Sequence, residues 1–200
     1  ALITNMDSPL GSAVGNSLEV IESVEILKGK TSGNLWTVCR ELSCRMLMLA
    51  GIGDKDECGR LVDEAVESGE ALKRFEMMVK LQGGDVSYIE DTSKFRKASF
   101  SREVYAPADG YITHMDSEKI GLTAVLLGAG REKKDDDINH AAGIIIAAKT
   151  GDFVKHGELL ATLFADDESR LDGAESRYLS AVSIGDKKPA EQPMILDYID

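Results

Sequence analysis

The first half of the chain holds one strand-like segment followed by four helical ones, and a single strand cannot satisfy its own backbone hydrogen-bonding groups. Ala1–Met6 (ALITNM) is short, apolar and strand-like. Asp7-Ser8-Pro9-Leu10-Gly11 then has turn chemistry, with proline fixing φ and glycine admitting positive φ. Asn16 reads as an N-cap with Glu19 three residues on, as in a capping box, and Leu18, Ile21, Val24 and Leu27 share one helical face up to Gly29. Three further helices follow: one with Leu35, Val38, Leu42, Met46 and Leu49 inward, one capped by Asp54 with Leu61, Val62, Ala65 and Val66 inward, and one over Glu70–Leu81 with Leu72, Phe75 and Val79 inward. Strand–turn–helix is the local unit of an α/β sheet. The other strands of that sheet are absent from this half, so its lone strand is expected to offer unpaired N–H and C=O groups, open to pairing with another copy.

The texture changes after Asp85. Tyr88–Ser101 is polar and reads as a linker or connecting strand, and Glu103–Met115 as strand, Pro-Ala-Asp-Gly turn, strand. Glu118–Leu127 is a short apolar helix, and Gly128–Asn139 a glycine-led, charge-rich loop. Strands are expected in Gly143–Lys149, Phe153–Lys155 and Leu159–Phe164, with turns at Gly151-Asp152 and His156-Gly157 between them. Asp166–Gly173 is acidic and polar, and the tail has one more apolar alternation near Met194–Ile199. The fold class is therefore α/β: a partial α/β domain (strand plus helices) over residues 1–95, followed by a small α+β C-terminal domain over residues 96–200.

Thirty-five acidic residues against 23 basic ones give a net charge of −12. That balance argues against nucleic acid as a partner, since phosphate binding needs a basic footprint, and against an anionic membrane surface. No segment has the layout of a signal peptide, and no run approaches the roughly 20 apolar residues of a spanning helix. Cys39, Cys44 and Cys58 fit no zinc spacing and are expected to be buried reduced thiols, as in a cytoplasmic protein. The chain starts at Ala1, without methionine, directly in an apolar segment, and so is expected to be a piece of a longer protein.

Several motifs bear on chemistry. Gly128-Ala129-Gly130-Arg131 opens like a phosphate-binding glycine loop but lacks the third glycine and follows a helix, so a tight turn is the expected role. Lys133, Lys134 and Asp135–Asp137 form a charge run expected to be a solvated loop. Ile144–Phe164 resembles a biotinyl/lipoyl-type barrel-sandwich module through Gly151, Asp152, Val154, Gly157 and Glu158. The hairpin that would display a modifiable lysine reads instead Phe164-Ala165-Asp166-Asp167-Glu168, and Lys149 precedes the motif, so a structural hammerhead is expected rather than a carrier. His114, His140 and His156 are dispersed, and no nucleophile elbow or metal-ligand spacing stands out.

Two segments together resemble one family. Ile3-Thr4-Asn5-Met6-Asp7-Ser8-Pro9-Leu10-Gly11, running into Ala13-Val14-Gly15-Asn16-Ser17-Leu18-Glu19-Val20, looks like a central strand and loop of pyrimidine-nucleoside and thymidine phosphorylases. Leu127-Gly128-Ala129-Gly130-Arg131, then Lys133-Lys134, Asp136-Asp137-Ile138 and Ala142-Gly143-Ile144, looks like that family's C-terminal domain, with Gly83-Gly84-Asp85 and Ala108-Asp109-Gly110-Tyr111 in order between them. The resemblance spans nearly the whole chain and departs at Asn5 and Asn139, where aspartate is usual.

The resemblance implies reversible phosphorolysis of pyrimidine nucleosides, with phosphate as co-substrate, by a homodimer that has an all-α domain and a larger α/β domain. It implies that the phosphate loop and the base-reading residues lie upstream of Ala1, so that no catalytic or substrate-binding residue is carried over to this chain and the 200 residues alone are inactive. It also implies a potassium ion held by backbone oxygens of Leu10 and Ala13 and by the carboxylate of Glu22; hard oxygen ligands suit such a cation. The alternatives are a non-enzymatic carrier or interaction module built on the hammerhead, and a related pentosyltransferase acting on anthranilate; Gly128–Ile144 argues against the latter.

Overall fold

The computed structural model describes residues 1–131 and 133–199. In chain order the elements are β1 (Leu2–Thr4), β2 (Ala13–Gly15), α1 (Asn16–Leu27), α2 (Gly33–Leu49), α3 (Lys55–Glu67), α4 (Glu70–Leu81) and α5 (Ser87–Glu90), then β3 (Phe100–Tyr105), β4 (Gly110–Met115), α6 (Ser117–Ala124), β5 (Gly143–Ile146), β6 (Phe153–Val154), β7 (Leu159–Ala165), α7 (Ser169–Ala181), β8 (Val182–Gly185) and β9 (Ile195–Tyr198). The fold is mixed α/β with several antiparallel sheets. The chain packs as two units: Ala1–Asn5, Ile21–Lys94 and Pro193–Asp200 form a helical unit, and Met6–Val20 with Phe95–Gln192 a sheet unit.

In the helical unit β1 is not without a neighbour: it pairs antiparallel with β9, Leu2 opposite Tyr198 and Thr4 opposite Ile195, so the apolar alternation of the tail supplies its partner. Helix α3 begins where Asp54 accepts a hydrogen bond from the Glu57 N–H, the expected cap. Helix α2 packs on α3, and the expected stripe holds only in part: Val38 is buried and Leu35 half-buried, together with Glu41 and Cys44, which were not expected inward. Leu42 and Met46 are exposed, and Leu49 is 90% exposed. Arg40 spans the contact and grips Asp63 with Nε and Nη2, each at 2.6 Å. Gly59 on α3 makes room for it, since a Cβ there would stand 2.9 Å from Arg40 Nη2. Of the cysteines, Cys44 and Cys58 are buried as expected, but Cys39 is exposed.

Glu41 is the buried carboxylate of this unit. It accepts from Arg45 Nε at 3.0 Å and lies 3.5 Å from Lys55 Nζ, and the Arg45 guanidinium sits 4.1 Å from the centre of the Tyr198 ring on β9. Burial pushes the Glu41 carboxyl up, but the hydrogen bonds and positive charge of Arg45 and Lys55 outweigh it and hold the group below the ordinary glutamate range.

The sheet unit holds a four-stranded antiparallel sheet, order β2-β5-β7-β3, and a three-stranded one, order β6-β4-β8. Strands β3 and β4 do not form a hairpin: β3 pairs with β7 and β4 with β6 and β8, so the Pro-Ala-Asp-Gly turn carries the chain from one sheet to the other. The core draws on both sheets and on α6 and α7, with Val104, Ile112, Ile144, Leu160, Leu163 and Tyr178 fully enclosed. The acidic stretch after β7 winds into α7, whose inner face is Leu171, Ala174, Tyr178 and Ala181. The two glycine turns of the β5–β7 segment are each closed by a carboxylate: the Lys149 N–H donates to Asp152 at 2.8 Å and the Lys155 N–H to Glu158 at 2.9 Å.

Strands β2 and β5 approach with glycine facing glycine, Gly15 opposite Gly143. A Cβ on Gly143, where φ is +150°, would stand 2.4 Å from the Val14 carbonyl oxygen. Gly143→Ala is therefore expected to cost at least about 2 kcal/mol, from backbone strain and steric overlap together, read as a lower denaturant midpoint for the sheet unit. In the helical unit, a folded-state pKa held below the unfolded one stabilises above about pH 4.3, and that stabilisation is lost as pH falls through the folded value. Glu41→Gln is expected to lower the thermal midpoint at pH 7, and the gap to the parent chain should narrow as pH falls below about 4.3.

Candidate functional site

Of the residues that carried the family resemblance, 3–5 and 83–85 lie in the helical unit, whereas 13–17 meet Ala129 and Gly143-Ile144 within the sheet unit, around the end of α6. That helix does not stop at Ala124 but widens into a π turn over Val125–Ala129, with Gly128 at φ +107°. Single π turns are frequent at functional positions. A helix end leaves carbonyls without partners of their own. Three of them are met here from distant segments. Arg170 Nη1 of α7 donates to the Leu126 oxygen at 3.2 Å, the Asn139 N–H to the Gly128 oxygen at 2.9 Å, and Asn16 Nδ2 to the Ala129 oxygen at 2.7 Å.

Asn16 is thus not the cap expected of it. Its amide crosses to the wide turn, and Glu19 instead accepts from the Gly15 N–H at 2.9 Å, one residue earlier than a capping box would place the contact. Around this contact β2 runs against β5, Ala13 opposite Ile145 and Val14 opposite Ile144. The Ile146 N–H donates to the Ser12 oxygen at 2.8 Å, and the Ser17 N–H to the His140 oxygen at 3.0 Å. Residues 12–17 are therefore hydrogen-bonded to Ala129, to His140 and to residues 143–146.

The loop between Gly130 and Asn139 is closed at both ends. Inside it the Lys133 N–H donates to the Asp136 carboxylate at 2.8 Å and Arg131 Nε to the Asp136 carbonyl at 3.1 Å. At its foot Asn139 lies beside Asp166, which follows β7. Asp166 accepts from the Ser99 N–H at 2.8 Å, from Ser99 Oγ at 3.0 Å, from Arg96 Nη1 at 2.6 Å and from Asn139 Nδ2 at 3.0 Å. The Ser99 N–H foremost, then the Arg96 guanidinium, hold its carboxyl below the ordinary aspartate range. Lys133, Lys134, Asp135 and Asp137 are exposed, in keeping with a solvated charge run, but Asp136 is half-buried and hydrogen-bonded within the loop.

Of the three residues expected at a cation, Leu10 is 40% exposed in the turn before β2 and Ala13 is buried as the first residue of β2. Both lie in the sheet unit, whereas Glu22, half-buried on α1, belongs to the helical unit. Among the described residues no three or more His, Cys, Asp or Glu side chains cluster as metal ligands do. His114, His140 and His156 are exposed. Sequence reading passed over Arg96, which lies 70 residues from its partner Asp166, and over Asp166 and Arg170, which carry no motif signal; only Asn139, as a departure from the family pattern, stood out.

Residues 111–185 match the family model described as pyrimidine nucleoside phosphorylase C-terminal domain, so the sheet unit contains a domain of that class. A pyrimidine-nucleoside phosphorylase of Bacillus subtilis (strain 168) is 40% identical over 170 residues, 84% of this chain and 39% of the relative. One of Staphylococcus aureus (strain bovine RF122 / ET3-1) is 36% identical over 187 residues, 93% of this chain and 43% of the relative. The chain spans about two fifths of the length of these curated relatives. It carries the C-terminal part of the pyrimidine-nucleoside phosphorylase family, as residues 3–20 and 127–144 implied.

Asn16→Ala is expected to destabilise the sheet unit by about 1 kcal/mol, the usual worth of one part-buried hydrogen bond, and to speed amide exchange at Ser17. Both are read by denaturant titration and exchange on the purified chain.

Proposed function

We propose that this chain is the C-terminal part of an enzyme that catalyses reversible phosphorolysis of pyrimidine nucleosides. A phosphate oxygen forms a bond to C1′ as the bond from C1′ to the base nitrogen breaks, yielding pentose 1-phosphate and the free base. The observation that carries this reading is the match of residues 111–185 to the family's C-terminal domain, together with its continuation through the relatives' likeness over 84–93% of the chain. Such a reaction depends on positioning phosphate and stabilising the departing base. In this reading residues 1–95 are the C-terminal part of the α/β domain and residues 96–200 the C-terminal α+β domain. The two sheets of the latter, with the carboxylate-closed turns at Gly151 and Gly157, are read as a barrel-sandwich hammerhead that serves as scaffold. A lysine-displaying carrier is not favoured, because the segment after β7 offers Asp166, Asp167 and Glu168 in place of lysine.

The same reading places the enzyme in the cytoplasm as a homodimer, with pyrimidine nucleoside and phosphate as its ligands. Among the described residues no helix is long and apolar enough to cross a membrane. It assigns a potassium ion to the Leu10 and Ala13 carbonyls and the Glu22 carboxylate, on the family resemblance.

The test joins this chain to the remaining, N-terminal three fifths of the Bacillus subtilis relative and assays uracil or thymine release from uridine or thymidine in phosphate buffer. Phosphate-dependent turnover by the chimera, with none by the 200 residues alone, is the expected result. A folded chimera without turnover, or turnover by the 200 residues alone, contradicts the assignment. In an active chimera, Glu22→Gln is expected to raise the potassium concentration needed for half-maximal activity, with excess potassium restoring part of the rate. An unchanged potassium profile removes Glu22 from the site.

A further inference from the structure

The contacts at the foot of the Gly130–Asn139 loop require an acceptor and a donor on one side chain. On one side of Asn139 stand two donors, Arg96 Nη2 and the Ala141 N–H, the latter 3.1 Å from Asn139 Oδ1. On the other stands an acceptor, the Asp166 carboxylate, 3.0 Å from Asn139 Nδ2. Those partners fix which way the amide points, since reversing it would set donor against donor and oxygen against carboxylate. An ionised aspartate at this place could serve the first side but would face Asp166 as a second negative charge at hydrogen-bond distance.

The surrounding charges relieve that conflict only in part. Arg96 already donates to both residues, through Nη1 to Asp166 and Nη2 to Asn139. Arg170, the other cation brought to this end by α7, is engaged with the Leu126 carbonyl and lies 3.6 Å from Asp167. His140, next in the chain, is exposed, and within the loop Lys133 and Arg131 are turned toward Asp136 through a backbone N–H and Nε respectively.

From this geometry we infer that Asn139 is a positioning residue that pins the Gly130–Asn139 loop to Asp166 without adding a charge, and that Asn139→Asp converts the same contact into a pH-sensitive latch. In that variant the two facing carboxylates share one proton most readily, so the carboxyl pair titrates above the ordinary aspartate range. A folded pKa raised above the unfolded one gives a contact that is made at low pH and lost as pH rises through the folded value. The parent amide has no such titration.

The experiment is amide hydrogen exchange on the 200-residue chain between pH 4 and 8, corrected for intrinsic exchange, at the backbone amides of residues 133 and 139. The parent should show flat protection from about pH 5 upward, where Asp166 remains ionised. Asn139→Asp should be protected like the parent at the acid end and lose about threefold in protection toward pH 8, the size of an exposed charge interaction. Asn139→Ala should lose protection equally at every pH, which separates loss of the contact from the effect of charge. The double exchange Asn139→Asp with Asp166→Asn, which restores one amide and one carboxylate, should flatten the profile again. Parent-like protection of Asn139→Asp across the whole range overturns the inference, as does a pH-dependent loss that the double exchange leaves unchanged. Core amides of β7 report on the fold: a variant that fails to protect them is replaced by Asn139→Ser, for which a pH-independent loss is expected and a pH-dependent one contradicts the inference.

Discussion

A helix that ends inside a protein must find partners for its last carbonyls, and the sheet unit is arranged around that requirement. The π turn after α6 aims the Leu126, Gly128 and Ala129 oxygens in directions that an ordinary last turn would not, and each is met by a different segment: α7, the foot of the charged loop, and the start of α1. The Asn16–Ala129 contact is part-buried and worth about 1 kcal/mol, while the Arg170–Leu126 contact is exposed and contributes less. They explain why two stretches more than a hundred positions apart, around Asn16 and Ala129, both carry the family's pattern.

The same contact accounts for the glycines. Once Asn16 reaches Ala129, β2 must lie close along β5, and the opposed pair Gly15 and Gly143 leaves space for no side chain. Below the sheet, the enclosed residues of β5, β7, α6 and α7 supply the apolar burial that a small unit needs. Charge enters at the edges, where Arg102 pairs with Asp172 and Glu175 of α7 and Arg96 with Asp166. In the helical unit the buried Glu41 plays a comparable part, drawing Arg45 and Lys55 together beneath the Tyr198 ring.

Much of this was legible from residue patterns. The Asp54 cap, the limits of α4 and the run of β7 follow from capping chemistry, period and turn residues. Helix α7 was not, because its buried stripe is half alanine and is set among acidic residues, so it lacks the apolar signal that periodicity needs. The split of β3 and β4 between sheets was hidden too, since a strand–turn–strand pattern is the same whether the turn closes a hairpin or changes layer. On α2 Val38 was rightly expected inward, but Leu42, Met46 and Leu49 misled, because the buried face runs through Glu41 and Cys44 instead. For the site, the paired segments were visible as a resemblance, but the amides of Asn16 and Asn139 were not, as nothing local distinguishes an amide that crosses the fold from one that caps a helix.

Residues 12–17 are an integral part of the sheet unit, held to the wide turn and to β5. Native-state amide exchange on the 200-residue chain measures this directly. The Ser17, Gly143 and Ile146 amides should open together with those of β7, with one shared free energy of opening and one denaturant dependence. If the Ser17 and Ile146 amides exchange freely while β7 stays protected, the segment is an appendage and the account is wrong.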